Sequence, residues 1–442
     1  MGKLFGTDGV RGVPGQYPLD RPTVQRIAAA LAVYLEEKHL PLRLLLAGDT
    51  RASTSVLAAW FAGAFAARGG EVVWAGVLPT PAVSHLLRRR EGFGAGAVVS
   101  ASHNPASDNG IKLLSPAGEK LSAAEEQRIE ALLATLAPRG DDQLPGEDPR
   151  FREAYLALLA QTLPAGALDG LSVVVDAAHG ATAPVAGEFL ASLGAKVQVL
   201  NAAPDGSNIN LGCGALHPEG LAAAVVERGA AAGVAFDGDG DRAVLVTHAG
   251  RVLTGDHILL LWARALAAEG RLARGTVVAT VMSNAALDQA LAREGLRLVR
   301  CPVGDREVWE AMQREGAVLG GEQSGHVICA HYSVTGDGLL TAAHLLAQGV
   351  ASGKSLEERA DLVPFPQVLV GVRVREKRPL GEIPPLTAAV RRAEAALAGK
   401  GRVLVRYSGT EPLLRVMVEA EELARAQRLA EEIATLAAKL LG

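Results

Sequence analysis

The sequence predicts a multidomain α/β protein closed by a smaller α+β domain, on three observations. Its 442 residues exceed what one hydrophobic core serves and point to roughly three or four domains of about 100–150 residues. Hydrophobic residues make up 49% but aromatic residues only 4%, so the cores must be packed from Ala, Val and Leu, which suits helices laid on strands. One pattern of apolar strand, polar turn and helical stretch is written three times in succession.

The first copy reads LRLLLAGDTRAS at 42–53, GGEVVWAGVLPTPA at 69–82 and FGAGAVVSASHNP at 93–105. The second reads LSVVVDAAHGAT at 171–182, GAKVQVLNAAPDG at 194–206 and AAGVAFDGDGDR at 231–242. The third reads GTVVATVMSNAA at 275–286, GLRLVRCPVGD at 295–305 and GAVLGGEQSGH at 316–326. Alternating strands and helices imply largely parallel pairing, and ligands in such sheets sit beyond the carboxyl ends of the strands. Each copy ends there, in a loop rich in functional groups.

Polar, Pro- and Gly-containing stretches place the domain boundaries within 139–150, near Gly250 and near 363–366, giving expected domains of 1–150, 151–253, 254–366 and 367–442. The last differs from the rest. A strand at 365–374, a helix at 387–400, a hairpin at 402–420 and a terminal helix with Leu423, Leu429, Ile433, Leu436 and Leu440 on about one face read as an α+β domain. That helix is expected to pack an intradomain core, with a homodimer contact as the alternative.

Charge and cysteine usage narrow the function. A net charge of −4 and a pI near 6.2 argue against nucleic-acid binding while allowing a local anion site. Cys213, Cys301 and Cys329 are too few and too scattered for a disulfide framework or a CxxC zinc site, which fits a reducing cytoplasm. No run approaches the roughly 18 apolar residues of a membrane span.

Asp237, Asp239 and Asp241 alternate with glycines between two strand-like segments. Three carboxylates so close repel unless a cation neutralises them, and the glycines let their oxygens converge, which points to a hard divalent ion, Mg2+. A calcium loop fails on spacing, because Arg242 and His248 stand where an EF-hand needs Gly and Glu. The segment RYSGTEPLLR at 406–415 puts arginines around a turn with two hydroxyls, which suits a phosphate dianion. The segment 349–355 is one residue short of a P-loop, and Ser355 with Glu358 reads as a capping box. Glu322 and Ser324, in GGEQSGH, suit hydrogen bonding to sugar hydroxyls.

In SASHNP, neighbouring side chains of an extended loop point to opposite sides, so His103 is expected to be badly placed as a base for Ser102. The hydrolase elbow GxSxG is absent as well. A phosphoserine fits better, its charge offset by Mg2+ on the three aspartates, with Lys112 as a nearby cation.

FGTDGVRG, SASHNP, DGDGDR, GGEQSGH and RYSGTEPLLRVM, in this order and spacing, resemble the α-D-phosphohexomutase superfamily over essentially the whole chain, and within it the phosphoglucosamine mutase branch. The resemblance implies three related mixed-sheet α/β domains and a TATA-binding-protein-like fourth domain around a central cleft. It implies a phosphoserine at Ser102 rather than Ser100, Mg2+ on Asp237, Asp239, Asp241 and the phosphorylated Ser102, and sugar contacts from Glu322 and Ser324. The phosphate loop falls on Arg406, Ser408, Gly409 and Thr410, helped by Arg415. Arg11, His103, Lys112, Arg242, Arg306 and His326 fall in matching segments, with Lys112 or His326 as candidate general acid or base. The implied reaction interconverts glucosamine 6-phosphate and glucosamine 1-phosphate through a 1,6-bisphosphate that also serves as activator. A phosphomannomutase/phosphoglucomutase is the near alternative and a non-catalytic sugar-phosphate binder the distant one.

Overall fold

The computed structural model describes residues 4–6, 8–89, 92–408 and 412–442, and the chain divides into two compact units. The first comprises Met1–Thr280 and Cys301–Ala360, the second Val281–Arg300 and Asp361–Gly442. Among the described residues no helix is long and apolar enough to cross a membrane. The three cysteines are buried free thiols.

In the first unit the threefold sequence pattern becomes a threefold topology. Strands β1 (Val10–Gly12), β2 (Arg43–Gly48), β3 (Glu71–Val77), β4 (Ala95–Val99) and β5 (Asn109–Leu114) form a sheet in the order β1-β5-β4-β2-β3. The second sheet, from β6 (Ser172–Asp176), β7 (Lys196–Leu200), β8 (Ala232–Phe236), β9 (Ala243–Thr247) and β10 (Val252–Leu253), repeats this as β10-β9-β8-β6-β7. After β11 (Thr276–Thr280) the chain leaves the unit and returns at Cys301, the end of β12 (Arg297–Cys301). There β11 pairs in parallel with β13 (Leu319–Gly321), and β13 pairs antiparallel with β14 (Val327–Cys329).

The sheets are therefore mixed rather than largely parallel. The crossovers make β2 parallel to β3 and β4, and β6 parallel to β7 and β8, as strand–helix alternation requires. The third strand of each repeat then turns straight back, pairing β4 with β5, β8 with β9 and β13 with β14 antiparallel. The three chemically rich loops are these returns. Each hangs from a strand buried along its whole length, AGAVV in β4, AGVAF in β8 and LGG in β13, so its base is fixed by packing.

Helix boundaries follow local chemistry. Asp20 caps Arg21–Glu37 by accepting from the Thr23 N–H at 2.8 Å, and Ser122 with Glu125 forms a capping box on Ala123–Leu133. Ser355 and Glu358 form the expected box on Leu356–Arg359. The first core is built from Ile27, Leu31, Leu46, Phe61, Phe65 and Val99 among others.

The second unit is an antiparallel sheet, β15 (Gln367–Arg373), β16 (Gly401–Tyr407) and β17 (Leu413–Ala420) in the order β15-β17-β16, with helices Pro384–Leu397 and Leu423–Leu441. The terminal helix buries Ala426, Leu429, Ala430, Ile433, Ala434, Ala437 and Leu441, while Leu423 and Leu440 are exposed. This corrects the stripe read from leucine and isoleucine alone: alanines at three- and four-residue steps make the close contact, and the apolar face drifts around them. Residues 281–300 belong to this unit. Asn284 caps helix Ala285–Arg293 and accepts from the Phe365 N–H at 3.0 Å, and the Ala285 N–H donates to Glu419 Oε2 at 2.8 Å.

Candidate active site

Ser102 stands on the return from β4 to β5, 2% exposed, with a left-handed backbone (φ 51°). Its N–H donates to Ser100 Oγ at 3.0 Å, and Ser100 Oγ donates to Asp49 Oδ2 at 2.6 Å. Ser100 is thus engaged in holding the loop, while Ser102 Oγ donates to Asp237 Oδ2 at 2.7 Å. His103 Nδ1 lies 3.3 Å from the same Oγ. The expectation that His103 points away fails, because it assumed an extended loop and the positive φ at Ser102 curls the two side chains together. Burial, then Arg242 and Arg11, push the His103 pKa down to about 4, so its ring is neutral near pH 7.

The turn from β8 to β9 carries Asp237, Asp239 and Asp241, each at most 6% exposed. A carboxylate oxygen from each lies within 4.8 Å of the others. Burial, then repulsion from Asp241 and Asp239, holds the Asp237 pKa well above the ordinary carboxylate range. Asp239 is held below that range: burial opposes its ionisation, but Lys112 beside it outweighs the burial. Lys112, on β5, is 1% exposed, with Nζ 2.7 Å from Asp239 Oδ2, 3.0 Å from Asp8 Oδ2 and 3.8 Å from Asp241 Oδ2. Burial disfavours its charge, and Asp239, Asp8 and Asp241 together override that and raise its pKa.

This donor set fits a hard divalent cation. Asp239 Oδ1 and Asp241 Oδ1 are buried and accept no hydrogen bond, and all-oxygen carboxylate ligands are what Mg2+ prefers. Arg242 follows at once, its N–H 3.3 Å from Asp237 Oδ1 and its Nε 3.9 Å from Asp241 Oδ1.

Other sequence-selected residues surround this core. His326 Nδ1 lies 3.5 Å from Asp241 Oδ2, and its Nε2 accepts the Gly336 N–H at 3.1 Å, which leaves the ring proton on Nδ1. Burial opposes protonation of His326, but the hydrogen bond and charge of Asp241 raise its pKa. Glu322 Oε1 accepts the Gly304 N–H at 3.1 Å, and Ser324 Oγ lies 3.4 Å from Glu322 Oε2. Arg11 donates to the Ala101 carbonyl and pairs with Asp8. Arg306 is engaged in a bidentate pair with Glu126, at 2.5 and 3.1 Å.

Asp8, Lys120 and Thr80 escaped the sequence reading. Asp8 joins Arg11, Lys112 and Lys120, and Lys120 also pairs with Asp305. Burial opposes the charge of Asp8, yet Lys112, Lys120 and Arg11 hold its pKa well below the usual range. Thr80 Oγ1 donates to Asp239 Oδ2 at 2.5 Å. The available signal for Asp8 was an acidic residue between Phe5 and Val10 of FGTDGVRG, two apolar residues that the first core buries.

In the second unit Arg406 and Arg415 are directly opposite across β16 and β17. Burial and the like charge of Arg415 lower the Arg406 pKa, an arrangement that an anion would relieve. Ser408 is 5% exposed, its N–H donating to the Leu413 carbonyl at 2.8 Å and its own carbonyl accepting Lys377 Nζ at 2.6 Å. Gly409 and Thr410 lie outside the described residues.

Comparison with known proteins covers the same span. Residues 2–139, 153–250 and 254–365 match the phosphoglucomutase/phosphomannomutase alpha/beta/alpha domains I, II and III, and residues 369–436 match the C-terminal domain. The phosphoglucosamine mutase of Solibacter usitatus is 48% identical over 445 residues, 99% of each chain. A phosphoglucomutase/phosphomannomutase family protein from Burkholderia thailandensis superposes with a TM-score of 0.82 at 25% identity, covering 99% of this chain and 98% of that one. The N-acetylphosphoglucosamine mutase of Aspergillus fumigatus, solved with GlcNAc-6P and magnesium, has the same fold at a TM-score of 0.67 and 19% identity, covering 99% and 96%.

Proposed function

This chain belongs to the phosphoglucosamine mutase family of phosphohexomutases, and from that membership we propose that it interconverts glucosamine 6-phosphate and glucosamine 1-phosphate through a phosphorylated Ser102. The observation that carries the reading is the 2.7 Å hydrogen bond from Ser102 Oγ to Asp237, inside a cluster of three buried carboxylates.

Phosphorylated Ser102 gives its phosphoryl group to the sugar 1-hydroxyl: a P–O1 bond forms, the P–Oγ bond breaks, and the hydroxyl proton leaves as the serine oxygen gains one. Among the described residues, Asp237 Oδ2 and His103 Nδ1 are within hydrogen-bonding reach of Oγ to share the serine proton. The bound 1,6-bisphosphate turns over, and its 6-phosphoryl group returns to Ser102, freeing glucosamine 1-phosphate. Asp237, Asp239 and Asp241 would hold Mg2+, which when bound offsets phosphoryl charge. Glu322 and Ser324 are the groups assigned to sugar hydroxyls. Arg406, Ser408, Gly409 and Thr410, with Arg415, are assigned to the phosphate that is not reacting.

A glucosamine 1,6-bisphosphate or related hexose bisphosphate is the expected activator, since it can phosphorylate an unmodified Ser102. The free cysteines fit a cytoplasmic location. The test is a coupled assay for glucosamine 1-phosphate with Mg2+ and a trace of bisphosphate, with glucose 6-phosphate in parallel. No turnover of the amino sugar, or faster turnover of glucose 6-phosphate, would overturn the assignment.

A further inference from the structure

Two side chains from different sheets meet on the main chain of Ser102. Arg51, in the turn after β2, and Asn210, in the loop after β7, are 3% and 9% exposed. Arg51 Nη2 donates to the carbonyl oxygens of Ser102 and Asn104 at 2.9 and 2.8 Å, and Asn210 Nδ2 donates to the same two at 2.9 and 3.1 Å. Arg51 Nη1 continues along the loop to the carbonyls of Pro105 and Asp108, and its Nε is anchored on Asp49 Oδ2 at 2.9 Å. The loop that bears the nucleophile is thus gripped through four of its own carbonyls.

We propose that Arg51 and Asn210 are positioning residues: they hold Ser102 by its carbonyl in the left-handed conformation that turns Oγ onto Asp237. This rests on the phosphoserine reading above. An L-residue avoids that conformation because its Cβ crowds the following carbonyl, so something must fix the carbonyl's direction. Two donors on the Ser102 oxygen do so. The metal loop is packed against the same grip: a Cβ on Gly238 would stand 2.5 Å from the Ser102 oxygen and 2.7 Å from Asn210 Nδ2. The Ser102–Asp237 distance is therefore set where the serine loop, the clamp and the aspartate loop touch. Asn210 is itself left-handed (φ 60°), with its N–H on the Ala178 carbonyl at 2.9 Å, so it is held independently of the serine.

The clamp acts on geometry and not on substrate. Asn210→Ala in the full-length enzyme should lower kcat about 100-fold, the order expected for a 1 Å misplacement of a reacting atom. The KM for glucosamine 6-phosphate should stay within about twofold, as befits a residue that touches no substrate. Asn210→Asp, which keeps the shape but turns a carboxylate on two carbonyls, should be at least as slow, and Arg51→Lys, which keeps the charge with fewer donors, should fall between. In protein phosphorylated by glucose 1,6-bisphosphate, the 31P resonance of phosphoserine should shift in Asn210→Ala while the melting temperature changes little. Unchanged kcat with an unchanged 31P resonance, or a loss of kcat matched by lost folded protein, overturns the clamp. Wild-type enzyme without turnover overturns the functional reading instead, and the 31P comparison still decides the clamp.

Discussion

Lys112 and Asp239 form a 2.7 Å ion pair with both side chains at most 1% exposed. The lysine supplies, in the metal-free protein, positive charge that the three carboxylates require. Lys112→Met should therefore destabilise metal-free protein by about 3–5 kcal/mol, the cost of leaving a buried charge without its partner. Mg2+ should restore much of that loss and should stabilise the variant more than the wild type. Urea unfolding in chelator and in Mg2+ measures both, and equal Mg2+ effects in the two proteins would contradict the idea.

Ser102→Ala should abolish turnover while leaving the fold intact, because the hydroxyl is spent on Asp237 and supports no core packing. Peptide mass mapping of active wild type should find phosphate on Ser102. Phosphate on Ser100 would reverse the assignment, although Ser100 Oγ is already committed to Asp49.

Arg406→Ala should raise the KM for phosphosugar about 10- to 100-fold, the loss of a charge-assisted bond worth about 1.5–3 kcal/mol. It should also release more bisphosphate per turnover. The like-charged pair with Arg415 adds a second readout: inorganic phosphate should raise the melting temperature of wild type more than that of the variant. Unchanged KM and unchanged leakage would leave the loop a plain hairpin turn.

His344 gives a pH signature away from the carboxylates. Its ring lies between Trp262 and Tyr332, at 5.6 and 4.4 Å between centroids, with Nε2 3.0 Å from Thr162 Oγ1. Burial, then Arg271, lowers its pKa from 6.5 to about 4. Between those values the unfolded chain binds a proton that the folded one refuses, so stability falls as pH drops, by about 2–3 kcal/mol near pH 4.5. His344→Gln should lose that part of the dependence. Parallel urea midpoints for both proteins from pH 7 to 4.5 would refute it.

How much of this was legible depended on whether the signal was local. The three return loops announce themselves because apolar runs stop abruptly at polar groups, and DGDGDR implies its cation through carboxylate spacing alone. The capping box at Ser355 and Glu358 is equally local. What escaped depended on one backbone angle or on distant partners. The positive φ at Ser102 reversed the placement of His103. Arg51 and Asn210, 159 positions apart in the sequence, carry no mark of meeting on the same carbonyls. The alanines of the terminal helix were passed over because small side chains look neutral in a pattern of leucines, although they permit the closest approach.

The splitting of the second unit into 281–300 and 361–442 sets an order of events during synthesis. Arg402 holds the Ser283 carbonyl at 2.6 Å, and Glu419 holds the Ala285 N–H, so these two ties on the start of the helix at Ala285–Arg293 form only when the last strand exists. At ~5–20 residues per second the ribosome adds Glu419 roughly 6–24 s after residue 300. Throughout that interval the start of the helix lacks the hydrogen bonds that Arg402 and Glu419 give it, while strands on either side of it are complete. A nascent chain stalled before 419 therefore leaves these ties unmade, at Ser283 and Ala285, in its middle rather than at its end.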